Sequence, residues 1–182
     1  MLGEVASCSP SCEGLSKVLG SGDPNARIAL VGEAAGAEED KMGMPFVGPA
    51  GKRLDMQLEA VGIKREDVYI TNVLKCRPPN NRIDLVPDAL ARCPEMYLMP
   101  ELAALPNLRV VVALGATSGG LWFKGGYKAT EMTRLARNVG GYVVVGAPHP
   151  AYALRKGAFP NDVDTFAIGN FGRAVTYEAY YG

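Results

Sequence analysis

The chain lacks an excess of charge of either sign. Its 19 Lys and Arg balance 19 Asp and Glu, and the sequence pI is near 6.6. A basic footprint, the usual global mark of a nucleic-acid binder, is therefore missing. Any DNA contact must come from local clusters: Lys52-Arg53, Lys75-Arg77-Arg82, Arg134-Arg137 or Arg155-Lys156. Each of these alone reads more simply as a solvated surface. No apolar run reaches the length of a membrane span. Met1 to Ser11 has no basic stretch followed by an apolar one, as a signal peptide would. Both absences lead to the expectation of a cytoplasmic protein. Internal repeats and low-complexity tracts are absent too, and no Gly-Lys-Ser/Thr phosphate loop follows the first glycine loop. Histidine occurs once, at His149.

What is present suits one α/β domain. The 182 residues are 48% hydrophobic and 21% charged, enough to bury a sizeable core. Residues 1–26 read as an N-terminal arm. Four apolar runs read as buried strands: Arg27–Gly32, Val68–Val73, Leu108–Leu114 and Tyr142–Gly146. Helical spacing is found over 51–61, over 88–104 after Pro87, around 116–122, and over 163–181. Residues 75–87 and the Pro148-His149-Pro150 segment read as loops. Repetition of strand, loop and helix predicts a three-layer α/β/α sandwich around a mainly parallel four-stranded sheet, covering residues 1–182 as a single domain. Ligands of such sheets sit beyond the carboxyl ends of the strands. Gly32–Gly36, Thr71–Cys76 and Pro148–Arg155 fall there.

Each of these segments offers chemistry. In Gly32-Glu33-Ala34-Ala35-Gly36, small residues let backbone N–H groups approach a ligand. Glu33 is a carboxylate able to orient water or stabilise positive charge. Phe46, in the Pro- and Gly-punctuated run Gly43–Gly51, could present a flat ring for base stacking, although a core Phe is the commoner outcome. Asn72 carries a donor and an acceptor, complementary to uracil O4 and N3–H and mismatched to cytosine. It could equally bridge a turn. His149 could donate to the oxyanion of a departing base, or merely pack. Leu154 and Arg155 could fill a base stack or grip phosphate. Cys8, Cys12, Cys76 and Cys93 form two separated groups, and four thiolates suit a metal or an Fe–S cluster.

Taken together these segments resemble the family-four uracil-DNA glycosylases, the Fe–S branch of that superfamily. The resemblance is carried by Val31–Gly36, Glu38-Glu39-Asp40, Pro45–Gly51, Tyr69–Arg82, Cys93 and His149-Pro150, in the family's order over residues 8–155. It implies an α/β/α fold, a [4Fe–4S] cluster on Cys8, Cys12, Cys76 and Cys93, and a monomer acting on uracil-containing DNA, single- or double-stranded. It implies that Phe46 stacks on uracil, Asn72 reads its edge and His149 stabilises the anion at O2. Gly32, Glu33 and Ala34 would line the pocket, Glu33 helping to place water, with Leu154 and Arg155 on the DNA. Glu39 and Asp40 match the acidic part of the motif. Two departures stand out: Ala35 where the family usually has Pro, and three residues rather than two between Cys8 and Cys12. No histidine follows the Asn72 strand, so the covalent capture of DNA seen in cross-linking relatives is not expected. No Lys is placed as a Schiff-base nucleophile, so the expected enzyme is monofunctional. The competing readings are a non-catalytic Fe–S or zinc DNA-binding module on the same fold, and a glycosylase for another deaminated or modified base.

Overall fold

The computed structural model describes residues 10–12, 15–125, 131 and 134–181. Its centre is a six-stranded sheet in the order β1-β3-β2-β4-β6-β5. The strands are β1 (Ser21–Gly22), β2 (Ile28–Gly32), β3 (Tyr69–Asn72), β4 (Val110–Leu114), β5 (Ala136–Asn138) and β6 (Val143–Ala147). The four central strands run parallel and coincide with the four apolar runs of the sequence. β1 and β5 add short antiparallel edges, so the expected four strands are six. The edges escaped detection because β1 has two residues and all three residues of β5 are exposed, leaving no apolar alternation to read.

Alternate residues of the central strands point to opposite faces, as a period of two requires. Ile28, Leu30, Val110, Val112, Val143 and Val145 pack on one side with Leu54 and Leu58 of helix α2 (Pro49–Glu59). Ala167, Phe171 and Ala174 of the C-terminal helix complete that layer. Ala29, Val31, Val111 and Val144 face the other side, against Leu98, Leu102, Trp122 and Phe123. Helices thus cover both faces of the sheet.

The single helix expected over 88–104 is interrupted. Helix α3 (Pro87–Cys93) passes into a π-helical turn (Pro94–Leu98) and then α4 (Met99–Ala103). Pro94 and Pro100 have no N–H to give the ladder, which shifts its register. Two short helices follow strand ends: α1 (Ala37–Met42) after the β2 loop and α5 (Gly115–Gly119) directly after β4. The Pro148-His149-Pro150 segment, read as a loop, starts helix α6 (Pro150–Lys156), with His149 as N-cap and Pro150 at the first position, where a missing N–H costs nothing. Helix α7 (Asp162–Tyr181) closes the described chain.

A buried ion pair fastens α6 to the core. Arg53 Nε lies 3.4 Å from Asp164 Oδ1, with side-chain exposures of 5% and 0%. The Arg53 guanidinium donates to the carbonyls of Ala153 and Gly157 at the end of α6. Gln57 Nε2 donates to the same Asp164 oxygen at 2.7 Å, and the Asn161 amide donates to the other at 2.9 Å. Arg53 is therefore excluded from the DNA-facing clusters considered from sequence. Removing one partner strands the other charge inside the protein. Asp164→Ala should lower the unfolding free energy by about 3–5 kcal/mol in urea titration. A loss below about 1 kcal/mol would show that water compensates Arg53 and that the pair is not truly buried.

Candidate active site

Segments at the carboxyl ends of β2, β3 and β6, with the Phe46 loop, enclose a cavity of about 170 Å³. That is well below the ~300 Å³ at which sites for drug-sized ligands begin, and suits a single flat ring. Its wall includes Glu33, Ala34, Glu39, Phe46, Asn72 and His149. The structure thus brings together five of the residues expected from sequence, and Gly32 lies immediately beneath two of them.

Gly32 ends β2, and crowding there fixes the residue type. A Cβ at this position would stand 2.4 Å from Asn72 Oδ1 and 2.5 Å from Phe46 Cζ. Only glycine lets ring and amide meet over the strand end. The ends of β2 and β3 are locked by bonds from Val73 N to Gly32 O and from Leu74 N to Glu33 O, both 3.0 Å. Phe46 has φ 54°, a left-handed conformation costly for a bulky residue. Gly51 makes room for it: a Cβ there would lie 1.8 Å from the Phe46 carbonyl oxygen. The ring is 5% exposed and joins the core cluster, so Phe46 both anchors its loop and walls the cavity. Its centroid is 5.7 Å from that of His149, with 30° between the planes.

Asn72 is 2% exposed at the end of β3, and among the described residues its Oδ1 has no hydrogen-bond partner. A buried acceptor left unpaired costs roughly 1–3 kcal/mol. Its backbone is held from below by Lys75, whose Nζ donates to Asn72 O at 2.8 Å, to Thr71 Oγ1, and to Glu101 Oε2 at 2.6 Å. Lys75 is fully buried, and desolvation lowers its pKa while Glu101 opposes that shift. It too leaves the set of DNA-facing clusters.

His149 Nδ1 accepts from Ala151 N at 3.2 Å. That bond fixes the tautomer: with Nδ1 accepting, the proton of the neutral ring resides on Nε2. Burial, with the Arg155 charge as a smaller cause, lowers the imidazole pKa to about 4. The ring is therefore neutral at physiological pH. Gly115, at φ 85°, seats it, since a Cβ there would lie 3.0 Å from His149 Cβ.

Residues 19–167 match the family model of the Uracil DNA glycosylase superfamily. The chain belongs to that superfamily. Three relatives carry the name Type-4 uracil-DNA glycosylase. The protein of Thermotoga maritima is 45% identical over 142 residues, 76% of this chain and 71% of the relative. That of Archaeoglobus fulgidus is 54% identical over 99 residues, 54% of this chain and 48% of the relative. That of Pyrobaculum aerophilum is 37% identical over 168 residues, 86% of this chain and 84% of the relative. Within the superfamily the chain belongs to the type-4 branch.

Family membership directs attention to the cysteines. Cys12, Cys76 and Cys93 are fully buried in one apolar cluster with Leu74, Val86 and Ala89, while Cys8 lies outside the described residues. Cys12 Sγ and Cys76 Sγ are 2.9 Å apart, and the Lys75 amide donates to Cys93 Sγ at 3.4 Å. Burial, and then the bond to Cys12, pushes the Cys76 thiol far above its ordinary range. Thiolates gathered here need a cation for compensation, so this donor set fits a metal-centred group. Among the described residues no three side chains already stand in metal-binding geometry.

Leu154 and Arg155 lie outside the cavity, exposed at the far end of α6, with the Arg155 guanidinium 5.7 Å from the Tyr152 ring centre. Glu39, which the sequence offers only as part of the acidic motif, has a definite place, and other contributors were missed from sequence. Glu39 is 8% exposed, and its two oxygens accept from Gly36 N at 3.1 Å and Gly48 N at 2.8 Å, joining the two loops that wall the cavity. Asp40 forms no part of that wall. The partners of Lys75 and Arg53, Glu101 and Asp164, are remote in sequence and gave no local signal.

The depressed His149 pKa has a testable sign. Below pH 6.5 the unfolded chain takes up a proton that the folded chain refuses down to about pH 4. This stability is complete above pH 6.5 and is lost as pH falls toward 4, by on the order of 3 kcal/mol. The single histidine's ring-proton NMR signals should stay at their neutral positions from pH 8 to about pH 5. A titration midpoint above pH 6 would overturn the buried, neutral assignment.

Proposed function

We propose that this protein is a monofunctional uracil-DNA glycosylase, which takes uracil out of the DNA stack and hydrolyses its bond to deoxyribose. The observation that carries the reading is the unpaired, buried Oδ1 of Asn72 beside an aromatic ring and a neutral histidine, in a cavity sized for one base. An unpaired acceptor calls for a donor, and uracil N3–H is one, with O4 accepting from the same amide. Cytosine offers the reverse order. Phe46 supplies the stacking face.

The chemistry then follows from the groups in place. As the bond from C1′ to N1 breaks, its electron pair goes to the base and the sugar takes on oxocarbenium character. The Nε2–H of His149 donates to O2, where negative charge gathers. Glu33 stabilises the cationic sugar, places the water that attacks C1′, and accepts its proton. Leu154 and Arg155, exposed on α6, serve the DNA strand. The type-4 relatives and the cavity favour turnover over a binding-only module.

The cofactor reading is a [4Fe–4S] cluster held by Cys8, Cys12, Cys76 and Cys93. Cys12, Cys76 and Cys93 come from three segments, so a cluster would cross-link the N-terminal arm, the segment after β3 and α3. Its contribution would be structural, since none of the three described cysteines lines the cavity. Among the described residues no helix is long and apolar enough to cross a membrane. The reading is of a cytoplasmic monomer with all 182 residues in one domain.

Two experiments test these statements. His149→Ala should slow single-turnover release of uracil by about a hundredfold or more, the size seen when one transition-state donor is removed, with DNA affinity nearly intact. His149→Gln should recover part of the loss. A destabilised but fully active His149→Ala protein would retire the mechanism. For the cofactor, anaerobically purified protein should be brown and contain about four iron atoms per chain, as a [4Fe–4S] cluster requires. Cys76→Ala should lose the colour. Colourless protein with stoichiometric zinc would overturn the cluster.

A further inference from the structure

Thr117 stands behind Glu33. It lies in α5, two residues after the left-handed Gly115 that turns the chain out of β4. Its hydroxyl donates to Glu33 Oε2, a side-chain bond between positions 84 residues apart. Thr117 is half-buried and takes no part in the cavity wall, whereas Glu33 does. The bond therefore occupies one carboxylate oxygen from behind and leaves the other available to the cavity. β2 and β4 are neighbours in the sheet and carry Glu33 and Thr117 just beyond their ends. A free glutamate side chain rotates about three torsions, and in the described structure this hydroxyl is the side-chain anchor of the Glu33 carboxylate.

We propose that Thr117 is a positioning residue for the hydrolytic step, orienting the Glu33 carboxylate so that its second oxygen faces the attacking water. The proposal rests on the assignment of Glu33 given above. Catalysis depends on alignment within a fraction of an ångström. A hydroxyl bound to a charged acceptor is also stronger than one bound to a neutral group. Thr117 need not meet uracil, sugar or water, and it changes no bonds. Its action passes entirely through Glu33.

The test is a double-mutant cycle on the full chain with uracil-containing DNA. Thr117→Val keeps the branched shape and removes the donor. It should slow single-turnover excision roughly ten- to a hundredfold, the range expected for loss of a hydrogen bond to a charged group. The DNA dissociation constant should change less than about threefold, because the lost interaction serves the chemical step. Thr117→Ser, which retains the hydroxyl, should stay within about threefold of wild type. Glu33→Gln should be slow, and adding Thr117→Val to it should cost nothing further, since the two residues act as one unit. A Thr117→Val protein at wild-type rate overturns the proposal. So does a penalty of equal size in the wild-type and Glu33→Gln backgrounds, which marks a packing defect; both results leave Glu33 in its role. A Glu33→Gln enzyme at full rate overturns the assignment of Glu33, and the proposal with it.

Discussion

The Glu39 carboxylate is the joint on which the site depends. One oxygen accepts from the amide of Gly36 and the other from the amide of Gly48. The first amide belongs to the loop that carries Glu33 to Ala35, and the second to the N-cap of α2, just after Phe46. Two segments that would otherwise move independently thereby share one rigid group. The bond from the Gly36 amide also caps the first turn of α1 through its third residue, so the short helix and the cavity wall are set by the same side chain. Charge-assisted bonds to backbone amides are directional and strong. The left-handed Phe46 persists because its surroundings over-determine it, with Gly51 admitting its carbonyl from one side and Glu39 fixing the loop from the other.

Beneath this joint, two ion pairs fix what the strands alone leave free. Lys75 and Glu101 brace the end of β3 and reach the arm, where the Gly20 amide donates to Glu101 Oε1 at 3.0 Å. Arg53 and Asp164 hold the far end of α6 against α2 and α7. Buried pairs of this kind add little net stability compared with apolar packing, but they tolerate few arrangements. That suits a site in which several chain segments must agree on one geometry.

Much of this could be read from the sequence, for physical reasons. The four central strands are buried on both faces, so they appear as apolar runs such as Ile28–Val31 and Val110–Leu114. A parallel sheet places its ligand beyond the strand ends, which singled out Glu33, Asn72 and His149 before any geometry was known. Phe46 was legible as a residue of the site, where it does wall the cavity, and its place in the core was legible as the competing reading. The unread parts depend on long-range pairing. Thr117 looks like any hydroxyl in a helix until β4 is laid beside β2. Lys75 and Arg53 look like surface cations because their partners are 26 and 111 positions away, at Glu101 and Asp164. The π-helical turn after Cys93 and the short edges β1 and β5 are too brief for periodicity to register.

The commitment of His149 Nδ1 to the Ala151 amide reaches beyond orientation. An imidazole can relay protons only when one nitrogen takes up a proton as the other gives one away. Here the nitrogen facing away from the base is occupied as an acceptor, and burial resists a second proton. The ring can lend its hydrogen bond and must then keep its proton. On the proposed reading the base therefore leaves the site as an anion and acquires its proton from bulk water afterwards. The departure of the base thus needs no change in the protonation of the histidine, and the helix that carries the ring is what holds it in that one state.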